Sequence, residues 1–413
     1  MVSKAIEKHG REAVAVTALS GSAAQILSGQ TLHSLFGMDT RPLSREAWLR
    51  ETLRRPEVCR RLSRLRVLFI DEVCTVPSSL FSRLGYVMRR VAPPHMQHLP
   101  FAGCQLVCAG DPLQVAPVKV TESSVDRMVF QCATWRDCFE RAAGKVICLT
   151  GSHRQRDVEF QRVLDRLRWG RVGAAVIQKI NATGTASISG SVTQLRIKKT
   201  SMQLINEERL AQIESPSVVF TATDEILTND ESLVETAVSS LRSSVDLTVV
   251  LKLNALVILT RKLGDTVPGS RGVVKRFICA GDQGGSTVTE VECDFDGKLV
   301  VVGRSRFSAY NSSGTELAFC EQLPILLGWA ITVHRAQGFT LDAVQIDFQL
   351  DTWTTAGLVY TALSRVRSFS SQCVKGLRRD LIQVSRCSTA YYERQLAEDN
   401  IDPEEDGRPP IEL

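Results

Sequence analysis

The chain lacks any apolar run long enough to cross a membrane. Its longest apolar stretches, near 323–333 and 253–259, fall short of the roughly 18 residues a span needs. Residues 1–10 hold no apolar core of the secretory-signal kind. There is no Cys-x-x-Cys among the 12 cysteines, and the nearest pair is Cys104 and Cys108. That spacing argues against a disulfide scaffold and leaves zinc as the weaker reading, without finger-spaced pairs. Several cysteines, Cys108 and Cys148 among them, sit in apolar runs and read as small buried hydrophobes of a reducing compartment. A strong charge bias is missing too: 50 Lys+Arg against 45 Asp+Glu leave a net +5, with 44% hydrophobic and 23% charged residues. Such a composition excludes a disordered chain and a coiled-coil rod. At about 150 residues per domain, 413 residues predict two or three domains.

What charge there is lies unevenly. Residues 41–66 carry nine arginines against Glu46, Glu51 and Glu57, whereas Glu398, Asp399, Asp402, Glu404, Glu405 and Asp406 crowd the far end. The basic segment suits a polyanion or, more blandly, a solvated helix face with Glu–Arg pairs. The acidic tail, 396–413, reads as disordered. Short apolar runs at 13–18, 67–70, 105–109, 146–149, 218–221, 255–259 and 343–346 alternate with helix-period segments such as 159–168. That alternation predicts a parallel α/β architecture. Residues 272–322 differ, with Gly-rich turns between Val- and Phe-rich runs, and predict a small antiparallel insert.

Five motifs carry the chemistry. Val67-Leu68-Phe69-Ile70-Asp71-Glu72 is an apolar strand ending in two carboxylates. In parallel sheets ligands bind at the carboxyl ends of strands, where an Asp can hold Mg²⁺ and a neighbouring Glu can activate water. Taken alone, the pair reads as a helix cap. A second strand runs into Gly110-Asp111-Pro112-Leu113-Gln114, where Gln114 can donate to a phosphate oxygen. Ser152-His153-Arg154-Gln155 and Tyr360-Thr361-Ala362-Leu363-Ser364-Arg365 each put an arginine at the mouth of an element, suited to the spread charge of a phosphoryl transition state. Any single arginine is more commonly a surface salt bridge. Finally, an apolar run ends in His334-Arg335-Ala336-Gln337-Gly338, a cluster able to hold a phosphodiester and a nucleotide together, and His33 in Thr31-Leu32-His33-Ser34 is a parallel case.

In order, these motifs resemble the petite-integration-frequency (Pif-type) DNA helicases, superfamily-one enzymes related to RecD. The likeness runs from about residue 11 to 377 and includes Leu99-Pro100-Phe101-Ala102-Gly103-Cys104-Gln105, similar to the segment that separates Pif-type enzymes from other RecD relatives. The resemblance implies two RecA-like parallel-sheet lobes, 1–150 (with an Arg-rich insert at about 38–66) and 151–271 with 323–395. It also implies an SH3-like β insert at 272–322. It implies ATP and Mg²⁺, with Asp71 on the metal, Glu72 activating water, Gln114 sensing phosphate, Arg154 and Arg365 as arginine fingers, and Gly338 beside the nucleotide. Thr17, Ser20, His33, His334 and Gln337 would lie on single-stranded DNA. The implied activity is 5′-to-3′ translocation and unwinding in repair, recombination, replication or telomere maintenance. The partners would be DNA forks and single-stranded-DNA-binding proteins, and the enzyme a monomer of nucleus or mitochondrion, with no membrane association.

Three departures stand out. No Gly-x-x-x-x-Gly-Lys-Ser/Thr occurs, and the family's phosphate loop is expected about 20 residues before Val14, at or ahead of Met1. Residues 1–9 then read as the helix that follows that loop. Cys74 replaces the usual Ser, and Val267-Pro268-Gly269 replaces the usual Asn-Gly. The alternative reading is a catalytically inactive, helicase-like protein that binds single strands, and residues 1–413 alone are expected not to turn over ATP.

Overall fold

Val14–Ala18 (β1), Gln30–Thr31 (β2), Val67–Asp71 (β3) and Gln105–Cys108 (β4) form one parallel sheet in the order β2-β1-β3-β4. β1 and β3 are apolar on successive residues, as strands covered on both faces must be. The register sets Ala18 opposite Asp71 and Ile70 opposite Cys108, so three strands end at one edge. The computed structural model describes residues 1–399 apart from 20–22, 25–26, 28, 38–43, 118–126, 142–143, 150, 186–191, 229–233, 235–236, 239–240, 243–244, 281–286, 311–315 and 354.

The helices Val2–His9 (α1), Leu32–Phe36 (α2), Arg45–Leu53 (α3), Pro56–Arg64 (α4), Ser78–Val91 (α5) and Ala133–Phe139 (α6) accompany this sheet. Apolar faces from α2 to α6 meet β1 and β3 in a core that includes Leu35, Phe36, Leu68, Ile70, Phe81 and Trp135. The arginine-rich segment is partly spent inward. Arg55 donates to the Gly37 carbonyl at 3.0 Å, and Arg61 donates to the Ser34 and Leu35 carbonyls, acceptors at the end of α2. Burial pushes the Arg61 guanidinium down to about 10.

A second parallel sheet follows Val158–Arg168 (α7) and Ala174–Ala182 (α8). It is built from Thr193–Arg196 (β5), Ala330–Thr332 (β16), Val344–Asp347 (β17) and Gln372–Lys375 (β18), in the order β16-β5-β17-β18. Lys199–Ala211 (α9) is pinned to it through Asn206, whose amide both donates to and accepts from the Ala330 backbone at 2.9 Å.

Between β5 and β16 the chain makes antiparallel sheets. Leu256–Leu259 (β9), Arg271–Ala280 (β10), Thr287–Phe295 (β11), Lys298–Val302 (β12) and Ile325–Leu327 (β15) pair as β12-β11-β10-β9-β15. Thr223–Ile226 (β7) joins Ser305–Tyr310 (β13) and Glu316–Gln322 (β14), while Val218–Thr221 (β6) pairs with Thr248–Leu251 (β8). The expected insert is therefore present and antiparallel. Antiparallel pairing also takes in 218–221 and 255–259, which the alternation assigns to a parallel sheet. The connection from β9 to β10 is too short for a crossover helix, so the chain turns back on itself. Pro268 is accommodated in that turn, where the Gly269 N–H donates to the Leu259 carbonyl at 2.8 Å.

The run 146–149 forms no strand, and Ile147 and Leu149 are exposed. Leu358–Leu363 (α10) leads to the last helix, Arg386–Glu398 (α11), which spans both halves. Tyr391 stacks on Phe130 at 4.2 Å and accepts a bond from Trp135 Nε1, while Tyr392 stacks on Trp169 at 5.6 Å. Residues 396–398 thus belong to a helix, and 400–413 of the expected acidic tail lie outside the described residues. All cysteines are free, and burial pushes the Cys104 and Cys293 thiols up to about 12. No helix among the described residues is long and apolar enough to cross a membrane.

Candidate functional site

The carboxyl edge of the first sheet gathers its acids because β3 and β4 stop together. The Ala109 N–H donates to the Ile70 carbonyl and the Val73 N–H donates to the Ala109 carbonyl, both at 2.9 Å, which ties the two strand ends. Gly110 eases the close approach there, since a Cβ would lie 3.1 Å from the Val73 and Cys74 backbone nitrogens. Glu72 takes a left-handed φ of 49°, a strain of about 1 kcal/mol or more that non-glycine residues keep mainly at functional sites. Burial holds the Asp71 carboxyl above its ordinary range. Glu72 is raised by burial first and by the Asp71 charge second, with Arg365 and Gln337 pulling the other way. Gln114 donates to Asp111 at 3.2 Å, so its amide is turned toward its own loop.

The second sheet supplies the opposing side. Gln337 Nε2 donates to Glu72 Oε2 at 3.2 Å, across the two halves of the chain. Gly338, at φ 82°, makes the turn that follows. Arg365 is 2% exposed, with Nε donating to the Thr361 carbonyl and Nη2 to Ser364 Oγ, each at 2.8 Å. Burial and the neighbouring Arg154 charge push it down to about 10. Arg154 donates to Thr340 Oγ1 at 3.1 Å and to the Ser364 carbonyl at 3.0 Å. Buried Gln155 donates to the Ser364 and Val366 carbonyls and so fixes the backbone around Arg365. Two arginines held this close repel each other, and the charge of Glu72 acts on both.

Two further contacts clamp the halves. Arg168 of α7 donates to Asp111 at 3.0 Å, both side chains largely buried, and its guanidinium lies 4.6 Å from the Tyr392 ring centre. Gly357, at φ 76°, caps α10 so closely that a Cβ would sit 2.2 Å from the Gln114 carbonyl oxygen.

The structure thus brings Asp71, Glu72, Gln114, Arg154, Gln337, Gly338 and Arg365 to one cleft. It does not present Thr17 to a strand: the residue is fully buried, and its hydroxyl donates to the Phe69 carbonyl at 2.7 Å. His33 is half-buried on α2, His334 is exposed beside Gln337, and Ser20 lies outside the described residues. Asp111, Arg168, Gln155 and Gly357 are the functional neighbours that the sequence did not single out as site residues. The Asp111–Arg168 pair spans 57 positions and leaves no local signal.

The family model for PIF1-like helicases matches residues 1–177. The ATP-dependent DNA helicase PIF1 of Danio rerio is 32% identical over 384 residues, 92% of this chain and 56% of that protein. The chain is similar to the PIF1-like helicases along most of its length. It spans about half the length of the curated relatives it matches. Among solved PIF1 helicases, the Candida albicans protein superposes with a TM-score of 0.75 at 24% identity, covering 95% of this chain and 91% of that one. Pif1 from Bacteroides, in complex with ADP-AlF4, gives 0.73 at 22% identity, covering 96% and 90%. The Bacteroides protein with ADP-AlF3 and single-stranded DNA gives 0.62, with the same identity and coverage. These likenesses establish the PIF1 helicase fold for the two parallel sheets and their antiparallel inserts.

Proposed function

We propose that this chain carries the composite nucleotide-hydrolysis and strand-binding site of an ATP-dependent DNA helicase. The observation that carries the reading is the bond from Gln337 to Glu72, which joins the two halves at the residue suited to activating water, with Arg154 and Arg365 behind it. In this reading the two parallel sheets are the cores of RecA-like lobes, 1–150 and 151–271 with 323–395, and 272–322 is an SH3-like insert.

The donor set fits magnesium. Among the described residues no group of three or more His, Cys, Asp or Glu is placed to hold a metal. Mg²⁺ asks only for one or two carboxylates beside phosphate oxygens and water, and Asp71 is such a carboxylate. Bound there, the ion would neutralise phosphate charge. Glu72, its proton affinity raised by burial, would take the proton of the attacking water. Gln114 would leave Asp111 for the terminal phosphate oxygen. Arg154 and Arg365 would spread transition-state charge, since guanidinium groups buried close together gain from an incoming anion. His334 and Gln337 would meet the strand, so that nucleotide and DNA share one loop. The 5′-to-3′ direction, action at forks, roles in repair, recombination, replication or telomere maintenance, and a nuclear or mitochondrial location are supported by the family alone.

A second reading, a single-strand-binding protein without turnover, is favoured by one observation: the Gln114 amide is held by Asp111 at 3.2 Å. DNA-stimulated ATP hydrolysis, measured on the protein expressed from its own gene, separates them. Turnover lost in Glu72→Gln supports the helicase; salt-dependent strand binding without turnover supports the second reading.

A further inference from the structure

α5 buries one face and displays another. Leu80, Phe81, Leu84, Val87 and Met88 enter the first core, whereas Ser79, Ser82, Arg83, Tyr86 and Arg89 follow the i, i+3, i+4, i+7 spacing of the opposite side. No residue of α5 is acidic, and Arg83, Arg89 and Arg90 load it with positive charge. With Arg45 of α3 and Thr134 of α6, this face lines a wide-mouthed cavity of about 350 Å³ whose lining, among the described residues, contains no carboxylate.

Rings hold three of these cations. Arg45 and Arg90 lie over Tyr86, 5.1 and 5.6 Å from its centre, and Arg83 lies over Trp48 at 4.8 Å. A ring face orients a guanidinium without neutralising it and leaves its edge N–H donors for an oxyanion. Arg45 is also engaged by Glu46 in an exposed pair, so the weight falls on Arg83 and Arg89. Those two stand six residues apart, about 9 Å along the helix, a step that follows a row of phosphates better than a lone ion. Ser82 and Thr134 add hydroxyl donors. The 14 residues of α5 extend about 20 Å from the end of β3, which separates Arg89 from the Glu72 cleft.

We infer that this cavity is a second nucleic-acid contact, gripping phosphates of the duplex arm of a forked DNA while a single strand occupies the cleft between the sheets. The inference rests on the strand binding proposed above. The test is fluorescence anisotropy of the protein with a labelled single strand and with a fork carrying the same strand as one arm, across a salt series. Arg83→Gln/Arg89→Gln should lower fork affinity about tenfold at low salt and reduce the salt slope by about two, one per lost phosphate contact, leaving the single strand bound as before. Ser82→Glu, which keeps the Trp48 stack, should act in the same direction. An unchanged fork slope in both variants would overturn the inference, as would equal weakening of fork and single strand. Unchanged fork binding together with lost binding of a polyglutamate peptide would overturn it in favour of an acidic protein partner. Failure of the wild type to bind the single strand would instead overturn the proposed function.

Discussion

Replacing Arg168 with Met should destabilise the protein by about 3 kcal/mol, because it strands the buried Asp111 carboxylate. The two side chains are 14% and 17% exposed and meet at 3.0 Å. The loss should sit at the low end of the range for broken buried pairs, since Asp111 keeps the Leu113 N–H at 3.0 Å and the Gln114 amide at 3.2 Å. Arg168 also stacks on Tyr392, which adds about 0.5–1 kcal/mol to the single-variant effect. A double-mutant cycle with Asp111→Asn cancels that contribution, because the stack is lost equally in both variants that carry Arg168→Met. Equilibrium urea unfolding followed by tryptophan fluorescence is the assay, with Trp169 stacked on Tyr392 as a local reporter. A coupling energy of about 2 kcal/mol is expected, and a value below about 0.5 kcal/mol would refute the idea that this pair clamps the halves.

Other outcomes follow from the same geometry. Glu72 binds its proton more tightly in the folded state, so stability falls as pH rises from the unfolded value near 4.3 through the raised folded one. Glu72→Gln should therefore raise the melting temperature at pH 7 and leave it unchanged near pH 4; a gain equal at both would contradict the linkage. Gly357→Ala should cost more than about 2 kcal/mol, through the left-handed φ and the clash with Gln114, and should speed proteolysis between the halves. Wild-type protease resistance in that variant would show that the contact is not needed. Thr17→Val should cost about 1 kcal/mol by removing the bond to Phe69, with single-strand affinity retained; a drop in affinity would return Thr17 to the strand.

Much of this was legible in the sequence where one physical rule governs. β1, β3 and β4 announce themselves as apolar runs, and the polar residues that end them mark the edge where ligands bind. Direction was not legible: 255–259 is equally apolar whether its neighbours run parallel or antiparallel, and only the short turn to β10 decides. The half-polar β5 carries too little pattern to be seen, and β15 and β16 merge into the single apolar run 323–333, while 146–149 carries the pattern and forms no strand. The placing of Thr17 on the strand rests on the family resemblance alone, which says nothing of where its hydroxyl points. A threonine can instead return its hydroxyl to the backbone of the next strand, and this one does. Asp111 and Arg168 meet through tertiary structure alone.

The measurement that bears most directly on the cleft is single-strand-stimulated ATP hydrolysis by the protein from its own gene, compared with Glu72→Gln and Arg365→Ala, with strand affinity followed in parallel. A composite site predicts that either change lowers turnover by about a thousandfold or more while the strand stays bound. Turnover that survives both changes would mean that Glu72 and Arg365 do not act on one nucleotide.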